Sequence, residues 1–458
     1  MSFETWASLA PVFSLAFAAL VAHRAPDGRS ARTVGGIGAA VSLVVAILVA
    51  AFARLDGPSM HFDAWSRVSF GIDGLSAPLV PFVAALGLVV VLGTPTRFVS
   101  PGYVARLLAS AALSIALLAA HTPLTLAVIW VLTGLPTALE LRGRRGLRIF
   151  AAQHVASSVL VFAGVILAKM HDGLESFAAP MLVLGIMVRE GVFPFHAWVP
   201  RFFVRAPLGS ALLFVQPQLG AYVLARWVLT GPLAGSASWL LDVLGAVTMI
   251  YGASLALGQR SARRALGYLA VSQSALVLLG LADGGVLGAT GALLVIAAVG
   301  LAQTGFGLAL SATEARRGSL RLDVDAGGHS ATPALAGSTL MLGLASVGLP
   351  GTLAFVAEDL VFHATLEARP WIGVLMVMAT ALNGIAVLRI AFRLFGGRRR
   401  STGEGDLTLR ERAVLGLVGA TLVTLGLMPQ PVLAPAKEAL EHLTETPSLT
   451  VHAVATRR

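Results

Sequence analysis

The sequence predicts an all-α polytopic membrane protein with about fourteen transmembrane helices. Three observations carry this. Of 458 residues, 56% are hydrophobic and 12% are charged, where a soluble domain carries about 25% charged residues. Mean hydropathy is +0.82, and apolar runs of spanning length, roughly 20 residues each, follow one another along nearly the whole chain. The arginines gather in short segments between those runs, as topology signals do in membrane proteins. The net charge of +10 is therefore read as positive-inside charge, and no nucleic-acid partner is expected; the partner that composition implies is the lipid bilayer. Cysteine is absent, which excludes disulfides, Cys-ligated zinc and Cys-ligated iron–sulfur clusters. The N-terminal run, with Glu4 and no A-x-A site ahead of a soluble domain, is not expected to be a cleaved signal.

In order, the spans are expected at 5–22, 34–53, 76–93, 103–120, 122–140, 148–169, 178–199, 208–229, 237–257, 266–282, 286–311, 333–366, 371–396 and 411–428. The twelfth is too long for one straight helix. It contains Gly348, Leu349, Pro350 and Gly351, so it is read as two half-helices joined by a break. The loops after spans one, five, nine, eleven and thirteen are basic. They hold Arg24, Arg29 and Arg32; Arg142, Arg144, Arg145 and Arg148; Arg260, Arg263 and Arg264; Arg316, Arg317 and Arg321; and Arg398, Arg399 and Arg400. Loops at the opposite ends, HDGLES (171–176) and GPLAGSAS (231–238), are acidic or neutral. The positive-inside rule then puts both termini outside a bacterial-type inner membrane. The segment 55–75, with RVSFGIDGLS, reads as a short outer hairpin, 312–332 as a connector, and the tail from Pro429 as a surface helix or a disordered end.

Two stretches place ionisable residues inside apolar runs. Such residues are costly unless paired or facing water, and are functional candidates by default. Span seven carries Arg189 and Glu190, then PFHAW (194–198) with Pro194 and His196, and Pro200 beyond. A proline there frees a backbone carbonyl that other groups must satisfy. The alternative to an ion path is that Arg189 and Glu190 form a structural clamp. Span twelve carries Glu358 and Asp359 two turns past its break, with His363 one turn after Asp359 on the same helix face. A glutamate in a membrane interior suits a proton relay; the alternative is a solvated helix end. Two broken helices at corresponding positions of two halves are a transporter signature. Other polar residues inside spans are Gln153, His154, Ser157, Ser158, Gln216, Gln218, Ser272, Gln273, Ser274, Gln303, Thr304 and Asn383. Singly they read as helix–helix glue; together they offer a hydrated file across the midplane. Glu140 and Asp242 read as interfacial. His196 and His363 lack the spacing of a metal pair, and no metal is expected.

Several stretches together resemble one family: the antiporter-like subunits of respiratory complex I, with the large subunits of multisubunit sodium/proton antiporters. They are FGIDGLSAPL (70–79), IWVLTGLPTALE (129–140), REGVFPFHAWVP (189–200) followed by APLGSALL (206–213), RRALGYLAVSQSALVLLGL (263–281) and GLPGTLAFVAEDL (348–360). The resemblance covers roughly residues 65–428. It implies two inverted five-helix repeats, each with a broken helix (spans seven and twelve). It implies a proton path of two half-channels joined by midplane charges, driven by coupling to a partner, with no nicotinamide, flavin or quinone bound. The sequence departs from the family at four places. Val131 follows Trp130 where the family usually has Glu, Arg189 stands where it usually has Lys, and Phe214 where it often has His. The family's next lysine falls near Thr304. Glu358 matches the position that is Lys or Glu. Arginine stays protonated, so the first half lacks its usual titrating pair, with Glu190 and His154 as substitutes.

The expected organisation is N-terminal helices with the outer hairpin (1–120), a first repeat (121–229), a second half (230–428) and a tail (429–458). The expected function is a proton-translocating subunit of a complex I-like or related assembly, without a redox site or cofactor of its own and with other membrane subunits as partners. Two alternatives stand. One is the membrane half of a two-component inorganic-carbon uptake system paired with a soluble zinc protein. The other is a non-conducting scaffold.

Overall fold

The computed structural model describes residues 3–53, 68–170, 174–230, 238–282, 285–397 and 405–445. Helix follows from the composition: in a bilayer every backbone polar group must be satisfied within its own segment. The helices are α1 Phe3–His23, α2 Gly28–Phe52, α3 Leu79–Gly93, α4 Pro101–Leu118, α5 Pro123–Thr133, α6 Leu135–Glu140, α7 Gly146–Leu167, α8 Ala178–Glu190, α9 Trp198–Arg205, α10 Leu208–Val215, α11 Leu219–Thr230, α12 Ser238–Gly258, α13 Ala262–Ala282, α14 Val286–Arg317, α15 Pro333–Ala345, α16 Leu353–Ala368, α17 Pro370–Phe395, α18 Leu409–Leu427 and α19 Gln430–Glu445. Local signals fix several starts. Ser100 caps α4 ahead of Pro101, and Thr408 and Glu411 form a reciprocal capping box on α18, satisfying amides that a helix start leaves orphaned.

This is a multi-pass membrane protein. Eleven stretches among the described residues are long and apolar enough to cross a membrane, or twelve if α18 and α19, bent by 64°, count as one. Helix occupies each of the fourteen expected spans, but α3 and α15 are shorter than a full crossing. Most of the expected outer hairpin lies outside the described residues. Its described end forms one antiparallel bridge, Phe70 with Ala120, tying the segment before α3 to the α4–α5 turn. Arg398, Arg399 and Arg400 also lie outside the described residues, as do 171–173, 231–237 and 446–458 of the outer segments.

One span expected to be continuous, span eight, is interrupted. Span five runs on through Gly134, which keeps right-handed helical dihedrals (φ −80°, ψ −18°) between α5 and α6. A Cβ there would lie 2.2 Å from His154 Nε2, so only glycine admits the imidazole. Span eight divides at Gln216–Gln218, where Pro217 removes an amide and Gln218 takes φ +43°, an uncommon backbone region for a side chain. The expected breaks in spans seven and twelve are both present.

α13 and α14 form the centre, with nearly all their residues buried. α13 packs on α9, α11, α12, α16 and α17, while α14 packs on α3, α10, α15, α16 and α18. The central pair therefore lies between the breaks of the two halves. The basic loops meet one another at one end of the bundle. Arg32 donates to the Thr94 carbonyl at 3.0 Å. Glu140 lies 2.6 Å from Arg106 and 3.6 Å from Arg144. Arg263 meets Glu314 at 3.4 Å and Arg316 meets Glu411 at 2.6 Å. At the other end Asp242 pairs with Arg369. Glu140 and Asp242 thus sit at helix ends as expected, but both are buried and paired.

Candidate functional site

The first break begins where α8 ends. Gly191 takes the left-handed C-cap position at φ +68°, and a Cβ there would lie 2.5 Å from Val199 Cγ2. The chain passes a cis Phe193–Pro194 bond and a single turn, then enters α9. Arg189 and Glu190, adjacent on α8, point apart. The Arg189 guanidinium lies 4.6 Å from the ring centroid of Trp130 and 4.6 Å from that of Phe214. Its Nη1 donates to Thr133 Oγ1 at 2.9 Å. The cage is itself fixed, since Trp130 Nε1 donates to Ser157 Oγ at 3.2 Å and Ser157 donates to the Gly185 carbonyl at 2.7 Å. A desolvated cation between two aromatic faces is held by about 2 kcal/mol or more. Glu190 turns the other way and accepts from the Gly220 amide at 2.7 Å. Gly220 is needed there, because a Cβ would fall 2.5 Å from Glu190 Oε1.

Two of the sequence departures, Arg189 and Phe214, meet in this cage. Phe214 supplies one of its faces. Val131 presents its carbonyl, 3.0 Å from His154 Nε2, while the His154 ring stacks on Phe150 at 5.6 Å. His196 lies in a separate aromatic group, 5.8 Å from Phe193 and 4.8 Å from Tyr251.

From the first break, buried polar groups continue toward the second half. Arg189, Glu190, Phe214, Gln216, Gln218 and Ser274 line a cavity of about 10 Å³, the threshold for one water molecule. Gln216 Nε2 donates to Gln303 Oε1 at 2.9 Å. Gln218 Oε1, Gln303 Nε2 and Thr304 Oγ1 are buried without a protein partner. In the second half, Gln273 Nε2 donates to the Ser346 carbonyl at 3.0 Å, inside the break of span twelve. Gln273 also faces the Glu358 carboxyl.

The second break runs from Ser346 to Thr352. Gly348 and Gly351 hold φ +79° and +88°, with Pro350 between them. A Cβ on Gly348 would lie 2.7 Å from Glu358 Oε2, so the glycine lets the loosened backbone approach the carboxylate. Glu358 is 8% exposed, and its Oε1 has no protein partner. Asp359 and His363 pair at 3.3 Å as expected from their spacing, but on the exposed face of α16, away from Glu358.

Sequence reasoning missed one buried charge cluster. Asp73 accepts from Arg226 at 2.8 and 3.1 Å. Tyr222 accepts from Arg226 Nε at 3.0 Å and donates to the Leu118 carbonyl at 2.6 Å. His121 Nε2 lies 3.4 Å from Asp73. The signal was an arginine inside the apolar run AYVLAR (221–226) at the end of the bundle where no basic loop stands. This cluster ties the segment before α3 to α11 and reads as a structural clamp.

The chain resembles proteins of known assembly along nearly its whole length. It is 29% identical to NADH-quinone oxidoreductase subunit 13 of Thermus thermophilus, across 79% of this chain and 82% of that protein. It is 26% identical to NAD(P)H-quinone oxidoreductase chain 4 of a Synechococcus species, across 96% and 89%. A chain of respiratory complex I from Thermus thermophilus shares the fold with a TM-score of 0.84 at 24% identity, covering 95% of this chain and 99% of that one. A chain of the Mrp complex from a Dietzia species does so with a TM-score of 0.86 at 20% identity, covering 99% and 100%. The family model described as NADH:quinone oxidoreductase/Mrp antiporter, transmembrane, matches residues 104–383. The chain belongs to that family of antiporter-like membrane subunits.

Proposed function

We propose that this chain is a proton-conducting, energy-coupling subunit of a multisubunit membrane complex, and that its proton path ends on Glu358 in the second broken helix. One observation carries the reading: Gln218, Gln303, Thr304, Gln273 and Glu358 each hold a buried polar atom without a protein partner. Gln216 joins Gln303 to the cavity beside Glu190, and Gln273 reaches the break that holds Glu358 against Gly348. Water bridging such groups makes a proton wire. Arg189 serves as a fixed charge beside this wire and Glu190 as its first acid, with His154 as a flanking base. The first repeat, 121–229, supplies the break of span seven, and the second half, 230–428, supplies that of span twelve. The basic loops face the cytoplasm of a bacterial-type cell and both termini face outward. The other subunits of the complex supply the coupling. The test is the purified complex in proteoliposomes with an internal pH indicator. Protein-dependent proton movement that persists without sodium and collapses with a protonophore is the expected result. Movement that requires sodium and leaves internal pH unchanged sinks the reading.

A second reading draws on the aromatic cage. A half that has exchanged its titrating pair for a fixed arginine also suits the membrane partner of an inorganic-carbon uptake system. Stoichiometric zinc co-purifying with the native complex, in a soluble partner, would favour it.

A further inference from the structure

Asp359 and His363 are placed where a bilayer does not tolerate them. α16 ends at Ala368, and Arg369 just beyond it pairs with Asp242 near the start of α12; charges that flank two spans are read as the membrane boundary at that end. Asp359 lies ten positions before Arg369, roughly 15 Å along the helix axis, and that is about half of a hydrocarbon core of roughly 30 Å. Asp359 is therefore near midplane depth, yet its side chain is 49% exposed and that of His363 is 56% exposed. On its other sides α16 packs against α13, α14, α17 and α18. The open stripe is Phe355, Asp359, His363 and Leu366, at helical spacing, with Phe355 41% and Leu366 38% exposed. A polar centre flanked by apolar anchors is the pattern of a helix–helix interface, not of a lipid-facing surface.

The chemistry of the pair says what covers it. His363 Nδ1 lies 2.9 Å from the Asp359 carbonyl and 3.3 Å from its carboxylate. A proton on Nδ1 satisfies both. What the exposed pair offers a neighbour is the Asp359 carboxylate, an acceptor that a cationic donor matches. We propose that this stripe docks a membrane-spanning helix of a different subunit, one that brings a lysine or arginine opposite Asp359. The inference rests on the subunit reading above and adds the face and the charge.

Because the chain has no cysteine, nitroxide labels can be placed singly at Leu366→Cys or Phe355→Cys, with the signal of the identically labelled wild-type complex subtracted. The assembled complex in native membranes is probed by oxygen, which partitions into lipid, and by a nickel chelate, which stays in water. The expected result is shielding from both, with no dipolar coupling between labels on two copies. Asp359→Asn should lower recovery of assembled complex on native gels a few-fold. Asp359→Lys, by like-charge juxtaposition, should lower it about tenfold or more. Oxygen access means lipid, nickel access means water, and label–label coupling means a second copy; each overturns the proposal. Equal recovery of the Asn and Lys variants removes the cation. A wild-type chain that migrates alone on the same gel sinks the subunit reading itself, whereas an assembled chain with accessible labels sinks only this face.

Discussion

The two broken helices use the same backbone device to opposite chemical ends. Each opens its helix with a proline and positive-φ glycine, Gly191 in the first and Gly348 and Gly351 in the second, and each brings a buried ionisable side chain next to the opening. At the first break the group is Arg189, enclosed by Trp130 and Phe214 and tied to Thr133. It carries a charge that does not leave. At the second the group is Glu358, with one oxygen against Gly348 and the other without a protein partner. On the proposed reading, the caged Arg189 is a fixed charge at the first break and the open Glu358 carboxylate is the proton relay at the second.

The comparison can be broken at several points. The largest effect is expected from Phe214→Ala. It deletes one face of the cage and a buried aromatic ring, and should cost about 3–5 kcal/mol, read as a lowered unfolding midpoint of the detergent-solubilised protein. A loss near zero means that Phe214 does not hold Arg189. Gly348→Ala should be smaller in stability, about 1–3 kcal/mol for a side chain at left-handed φ, but should also stop proton flux by pushing Glu358 from the break. Stable protein with normal flux would place the relay elsewhere. Asp406→Ala sharpens the comparison as a control remote from both breaks. Asp406 accepts from the amides of Ala334 and Leu335 at 2.9 and 3.0 Å, capping α15, and its loss should cost about 1 kcal/mol without changing flux.

The same carboxylate gives a pH dependence. Burial works against its ionisation, but the amides of Ala334, Leu407 and Leu335 outweigh burial and hold it below the usual carboxylate range. A depressed folded-state pKa contributes stability above the unfolded value of about 3.9 and loses it as pH falls through the lower folded value. Wild type should therefore lose its advantage over Asp406→Ala at pH below about 4. A stability difference that is flat across that window contradicts the cap's ionisation.

Much of the fold was legible because the bilayer demands runs of fixed length and the loops carry their own charge signal. The break in span seven was legible because Pro194 follows a charged pair, and that in span twelve because its run is too long for one helix and holds Gly348, Pro350 and Gly351. The break in span eight was not, since Pro217 is bracketed by glutamines that read as polar packing; only the backbone shows Gln218 at φ +43°. Val131, Arg189 and Phe214 were visible as three separate departures. That two of them build or carry the cage depends on α5, α8 and α10 meeting in space. Asp73 and Arg226 lie 153 positions apart, beyond any local pattern. Glu358 was singled out in sequence by its match to the family position, and Asp359 by its spacing from His363. The roughly 100° between neighbours on a helix sends one into the core and the other to the surface.

The most direct measurement is proton flux through the reconstituted complex carrying Glu358→Gln, set beside Glu190→Gln. The amide keeps the shape of the side chain and removes its proton exchange. A relay at the second break predicts that Glu358→Gln lowers flux by about 100-fold or more, with assembly intact, while Glu190→Gln lowers it less. Unchanged flux in Glu358→Gln, with flux abolished in Glu190→Gln, would contradict the assignment and return the relay to the first break.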